Sequence, residues 1–206
     1  MQLIREILSR FRRYCGDESA SITVEAVMVL PILLWGYFGL FILYDGYRAL
    51  GSNIRAGHTI SDLLSRETNA VNAAYIEGLN DIQDILTQSS ERTVLRVTVA
   101  SYFDSNGNGS VETGEHSLIW SYSTTGQDAI VAANFEDDIV PYLPPMPDGG
   151  QLIVVETWMA HVPFLNITLE NLYTEGGSER VVFGPFYFES LVITRPRFAG
   201  QLVWES

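Results

Sequence analysis

Apolar residues recur along the chain with three different periods. Residues 26–44 (AVMVLPILLWGYFGLFILY) run for nineteen positions without a charge. At about 1.5 Å of helical rise per residue such a run reaches roughly 28 Å, close to the ~30 Å hydrocarbon core of a bilayer. Helices of soluble domains usually keep a polar stripe, and this run has none. Its only polar handles are the rings of Trp35, Tyr37 and Tyr44, which suit a headgroup layer. Pro31 inside the run is tolerated in a membrane helix, where neighbours re-satisfy the freed backbone groups. Gly36 and Gly39 permit close helix approach, but without the GxxxG spacing. The pattern predicts a single-pass membrane helix.

Beyond residue 44 the period relaxes toward an amphipathic helix. Residues 45–67 place Leu50, Ile54, Ile60, Leu63 and Leu64 on one loose face. Gly46, Gly51 and Gly57 weaken that helix by up to ~1 kcal/mol each. Residues 69–88 predict a second helix, with Val71, Tyr75, Leu79, Ile82 and Leu86 near a 3.6 period. Alternation and β-branched residues then take over. Strands are expected at 93–103 (TVLRVTVASYF), 117–122 (SLIWSY), 151–165 (QLIVVETWMAHVPFL) and 180–194 (RVVFGPFYFESLVIT). Residues 140–150 (VPYLPPMPDGG) are too rich in proline for regular structure. The expected fold class is therefore α+β: a transmembrane and stem helix over 21–67, then a domain over 68–206 with a second helix and an antiparallel β-sheet.

Charge adds a direction. The chain has twelve basic residues, all Arg, against twenty-five acids, for a net charge of −13. Such a balance argues against nucleic acid or anionic lipid as a partner of the body. Residues 1–20 carry a net charge of +1, so the remainder carries −14. Four Arg precede the apolar run, while Arg48 and Arg55 follow it closely, which predicts a cytoplasmic amino end and an exported body. A cleaved secretory signal is the competitor, with residues 49–51 as its small-x-small site. The run, however, exceeds the usual 7–15-residue apolar region of a signal. Cys15 has no second cysteine to pair with.

Glu25 directly precedes the apolar run. A carboxylate there costs less than the ~2.5–3.5 kcal/mol of the bilayer centre, and an acid in a membrane segment is a functional hypothesis by default. The plain alternative is a residue that marks the membrane boundary. Residues 19–31 (SASITVEAVMVLP) resemble the amino-terminal signature of the TadE-like family, the minor pseudopilins of the tight adherence pilus. The closing TRPRF of residues 194–198 is similar to the end of TadE-like domains. The resemblance implies a pilin-like fold and a basic leader over 1–20 that a prepilin peptidase cuts between Ala20 and Ser21. Many relatives have Gly where this chain has Ala20. Glu25 is then the fifth residue of the mature chain. Near the new amino terminus its carboxylate gains roughly 0.3–1 kcal/mol from the helix dipole. It also gains a partner in the terminal amine of a neighbouring subunit. Implied partners are other pilin or pseudopilin subunits and the inner-membrane assembly machinery. The implied location is the bacterial inner membrane with a periplasmic body and, after assembly, the extracellular pilus.

One metal-like pattern occurs, in DSNGNGSVETGE (104–115). Asp104, Asn106, Asn108, Gly109 and Glu115 fit D-x-[DN]-x-[DN]-G-x5-E. Hard oxygens from Asp104, Asn106, Asn108, the Ser110 carbonyl, Glu112 and Glu115 suit Ca²⁺, in the weak range of about 10⁻⁴–10⁻³ M. Strands rather than helices flank the loop, and Asn-Gly pairs are equally hairpin turn chemistry, so both readings stand. No catalytic motif is visible, and the chain is read as a non-enzyme. His58, His116 and His161 are read as satisfied surface or sheet residues, and 136–138 (EDD) as a solvated charge run. Two other classes remain. One is an uncleaved, membrane-anchored periplasmic module that binds Ca²⁺ or a partner. The other is an exported hydrolase, which needs buried acids and a histidine clustered in the sheet.

Overall fold

The computed structural model describes residues 18–89, 91–104, 107, 115–144, 146–163, 168–169, 181–182 and 185–205. The chain forms two compact units, Met1–Asp45 and Gly46–Ser206.

The first unit contains the greater part of α1 (Glu18–Arg66), which runs without a break through Pro31. Most of its large apolar side chains over 24–44 point outward. Ile32 is 70% exposed and Trp35 76%. A continuous apolar surface of this kind marks contact with lipid or with another protein. Among the described residues this is the one helix long and apolar enough to cross a membrane.

The second unit takes the rest of α1 and then α2 (Ala73–Thr87), β1 (Val94–Tyr102), β2 (His116–Ser123) and α3 (Ala132–Asp138). A 3-10 turn (Val140–Tyr142) and strands β3 (Gln151–His161), β4 (Thr168–Leu169), β5 (Val181–Val182) and β6 (Phe186–Thr194) follow. The main sheet has the order β2-β1-β3-β6, antiparallel throughout, and β4 pairs with β5 apart from it. The described architecture is α+β, as expected.

Alternation in β1 and β3 explains the layers. Leu95, Val97, Val99, Ile153 and Val155 pack with Ile60 and Leu64 of α1 and with Ile76 and Leu79 of α2. Ala100, Leu152 and Val154 make a second core with Ile130, Phe135, Ile139 and Leu143. Both central strands are thus covered on two faces, which is why they read as nearly continuous apolar runs. The second cover corrects the sequence reading. No helix was expected at 132–138, and 140–150 was read as wholly irregular. Only Phe135 of α3 is buried, so no apolar period announces the helix. Pro141 in the 3-10 turn supplies a preset φ rather than a break. Glu136, Asp137 and Asp138 are exposed, as expected of a solvated run.

The helix faces also differ from expectation. Ile60 and Leu64 are buried, but Ile54 and Leu63 are exposed, and Asn53, Ala56 and Gly57 take the inward positions. A Cβ on Gly57 would lie 3.4 Å from Val192 Cγ2, and one on Gly46 would lie 3.8 Å from the Phe186 ring. A Cβ at either position would make ordinary contact, so the packing of α1 on β6 does not require these glycines. In α2 the inward residues are Ile76, Leu79, Asn80, Gln83 and Thr87, while Ile82 and Leu86 are exposed. Asn80 Nδ2 donates to the Thr93 carbonyl at 3.1 Å, and Thr93 N–H donates to Asp84 Oδ1 at 2.7 Å. Polar residues therefore face inward to hold the entry to β1. The helix starts at Ala73 rather than at 69 because the Asn72 side chain caps it, accepting from Tyr75 N–H at 3.0 Å. Val71 instead bridges to Trp204 in the carboxy-terminal tail.

Candidate functional site

Ala20 and Ser21 lie on helical backbone near the start of the described part of α1. Glu25 follows one turn later and is exposed on a surface otherwise built by Val24, Val27, Met28 and Val29. From Ala26 to Tyr44 the helix beyond this carboxylate carries no charge. An acid so placed favours a cationic partner at the same depth.

The TRPRF segment closes the other end of α1. Arg197 N–H donates to the Ser65 carbonyl at 2.7 Å, satisfying a group at the helix C-terminus. The Arg197 guanidinium meets Asp62 at 3.3 Å, and Arg66 meets the same carboxylate at 2.9 Å. All three side chains are well exposed, so these ion pairs add little stability.

For the loop at 104–115 the structure describes the two ends and Gly107. Asn106, Asn108, Gly109, Ser110 and Glu112 lie outside the described residues. Asp104 Oδ1 accepts from Gly107 N–H at 2.6 Å, and Gly107 has a φ of +69°, the side-chain-closed turn an Asp builds beside an Asn-Gly pair. Asp104 N–H donates to Asp148 Oδ1 at 3.2 Å, which ties the loop to the turn before β3. At the far end Glu115 is buried, and its carbonyl accepts from Phe103 N–H at 2.8 Å to close the hairpin. The Tyr102 hydroxyl donates to Glu115 Oε2 at 3.3 Å. Burial chiefly, then the carboxylates of Glu115, Asp104 and Asp148, hold the Tyr102 phenol above its ordinary pKa. Three acids thus act on one hydroxyl. Among the described residues no three His, Cys, Asp or Glu side chains are grouped closely enough to hold a metal ion.

His116 opposes Tyr102 across the strand pair, their ring centroids 5.0 Å apart. It is a sheet residue, as expected, but not a satisfied one. It is buried, and among the described residues neither ring nitrogen has a hydrogen-bond partner. Burial lowers its pKa, and the neighbouring Glu115 carboxylate partly opposes that. His58 is exposed, and His161 ends β3 with its ring stacked on Phe188.

A buried ion pair escaped the sequence reading. Arg96 of β1 and Glu156 of β3 are register partners. Two guanidinium nitrogens donate to the two carboxylate oxygens, each at 2.6 Å. The Arg96 guanidinium also lies 4.9 Å from the centre of the Trp158 ring and donates to the Asp128 carbonyl at 3.1 Å. One signal was available: single opposite charges interrupt the two most apolar strands.

The described parts are those of an α+β body carrying a helix of membrane-spanning length. Comparison of the chain with known protein families, curated proteins and solved structures finds no match.

Proposed function

We propose that this chain is a minor pilin-like structural subunit of a bacterial tight adherence pilus, assembled through α1 and without enzymatic activity. The observation that carries this reading is the exposed Glu25 at the amino-terminal end of a bare apolar helix of membrane-spanning length. A prepilin peptidase removes residues 1–20 between Ala20 and Ser21. The subunit waits in the inner membrane with its acidic body in the periplasm. Glu25 then pairs with the amine of a neighbouring pilin or pseudopilin, so two charges meet rather than remain unpaired in an apolar setting. The mass of the mature protein and the fate of Glu25→Ala test this together. A mature chain beginning at Ser21, and a variant that still enters the membrane but leaves the assembly, are expected. A mature protein that begins at Met1, or normal assembly of E25A, refutes it.

One observation favours the competing uncleaved anchor: α1 is continuous from Glu18 through Ala20 and Ser21, so cleavage has to act on helical backbone. The same mass measurement decides between the two.

A further inference from the structure

The four-stranded sheet has two edges, and they are built differently. At β2 the register slips between Val99 and Ala100 of β1, leaving Ile119 as a bulge. Bulges of this kind blunt an edge against pairing with another chain. At β6 the register with β3 is unbroken over nine residues, with no proline inside the strand and one charge, Glu189. Among the described residues no backbone group pairs with its outer side. Exposure agrees. Only Val192 of the strand is buried, and Tyr187 is 79% exposed. An edge of this length, with one charge, no bulge and, among the described residues, no covering segment, is a template for another strand.

We propose that this edge pairs with β6 of a second copy of the chain, antiparallel, about a two-fold axis through Ser190. The occupant follows from the sequence of the strand, FYFESLVIT, which complements itself in that register. Phe188 stands opposite Val192 and Tyr187 opposite Ile193, the aromatic and β-branched pairing that stabilises antiparallel strands. Glu189 stands opposite Leu191, so the lone acid is not set directly against its own copy, which lies on the diagonal about 7–8 Å away. That matters in a chain with a net charge of −13, whose copies repel one another overall. Centring on Glu189 instead sets the acid against its own copy, and centring on Leu191 leaves Phe188 as the one aromatic residue of the strand with a partner in it. A two-fold axis normal to the sheet keeps faces together. Phe188, Ser190 and Val192 stay on the face that α1 approaches through Gly46 and Gly57, and Tyr187 and Ile193 stay on the other. The result is one eight-stranded antiparallel sheet across two chains, an isologous interface in which each copy offers the same patch. The inference stands on the sheet alone and does not depend on how the chain is processed.

Cysteine cross-linking of the full chain in detergent micelles, in a Cys15→Ser background, tests it. Directly opposed residues of antiparallel strands have Cα atoms about 4.5–5.5 Å apart, within disulfide range. Ser190→Cys should therefore give a covalent dimer under mild oxidation. Tyr187→Cys should give none above background, because its own copy is six residues away along the paired strand, about 20 Å. The pair Y187C/I193C should restore the dimer, and it carries the test if S190C alone folds poorly. Absence of dimer from both S190C and Y187C/I193C, or equal yields from S190C and Y187C, overturns the proposal.

Discussion

Replacing Arg96 by Met, Glu156 by Met, and both together separates what the buried ion pair costs from what it contributes. The Glu156 side chain is 5% exposed, and among the described residues its carboxylate is hydrogen-bonded by Arg96 alone. Arg96→Met leaves that charge buried and unpaired, so a loss of about 3–5 kcal/mol is expected. Glu156→Met is milder. Arg96 is 13% exposed and keeps the Asp128 carbonyl and the Trp158 face, so about 1–3 kcal/mol is expected. Removing both charges leaves two thioether side chains between the strands, and the double variant should come within about 1 kcal/mol of the parent. The coupling between the sites is then about 3 kcal/mol or more, at the upper end of measured pairs. Thermal melts of the full chain in detergent read these differences, with R96M shifted by roughly 10 °C. If the double variant is as unstable as the sum of the single ones, the pair is not coupled and the reasoning fails.

Two further outcomes follow from the loop end of the sheet. His116 is held below its ordinary pKa of 6.5, chiefly by burial, so the unfolded chain takes up a proton that the folded one refuses. Melting temperature should therefore fall as pH drops from about 6.5 toward that lowered value, stay level above it, and lose this slope in His116→Phe, as melts across the range will report. Calcium at about 5 mM should stabilise the body by about 1–2 kcal/mol if the 104–115 loop binds it in the weak extracellular range, and Asp104→Asn should diminish the effect. No shift with calcium leaves the Asn-Gly pairs as turn chemistry only.

The apolar run over 26–44 was legible because a membrane helix is defined by what it lacks, and no tertiary contact is needed to see nineteen uncharged positions. β1 and β3 were legible for a related reason. Their burial on both faces leaves few polar positions, and β-branched residues fill the rest. Strand 180–194 was legible only in outline. It is interrupted before Phe186, where Pro185 has no N–H to give a ladder, and Phe183 and Gly184 lie outside the described residues. α3 was missed because a helix of seven residues with one buried side chain has no period to detect.

The inward faces of α1 and α2 were misread for a deeper reason. Periodicity assigns apolar residues to the core, and here the chain departs from that rule. Asn53 and Gln83 are fully buried, and among the described residues neither amide has a hydrogen-bond partner. Each such group costs about 1–3 kcal/mol that an apolar residue of the same shape would not. Close packing at Ile60, Leu64, Ile76 and Leu79 offsets that cost, while Ile54, Ile82, Ile85 and Leu86 are left facing out. A sequence selected for stability alone would exchange these positions. Local rules of this kind are broken mostly where a second requirement acts on the same residues. In α1 the two demands fall on different residues, the cover of the sheet on Ile60 and Leu64 and the apolar surface on 24–44. Asn53 lies on the part of α1 that covers the sheet and Gln83 on α2, so the apolar surface over 24–44 accounts for neither amide.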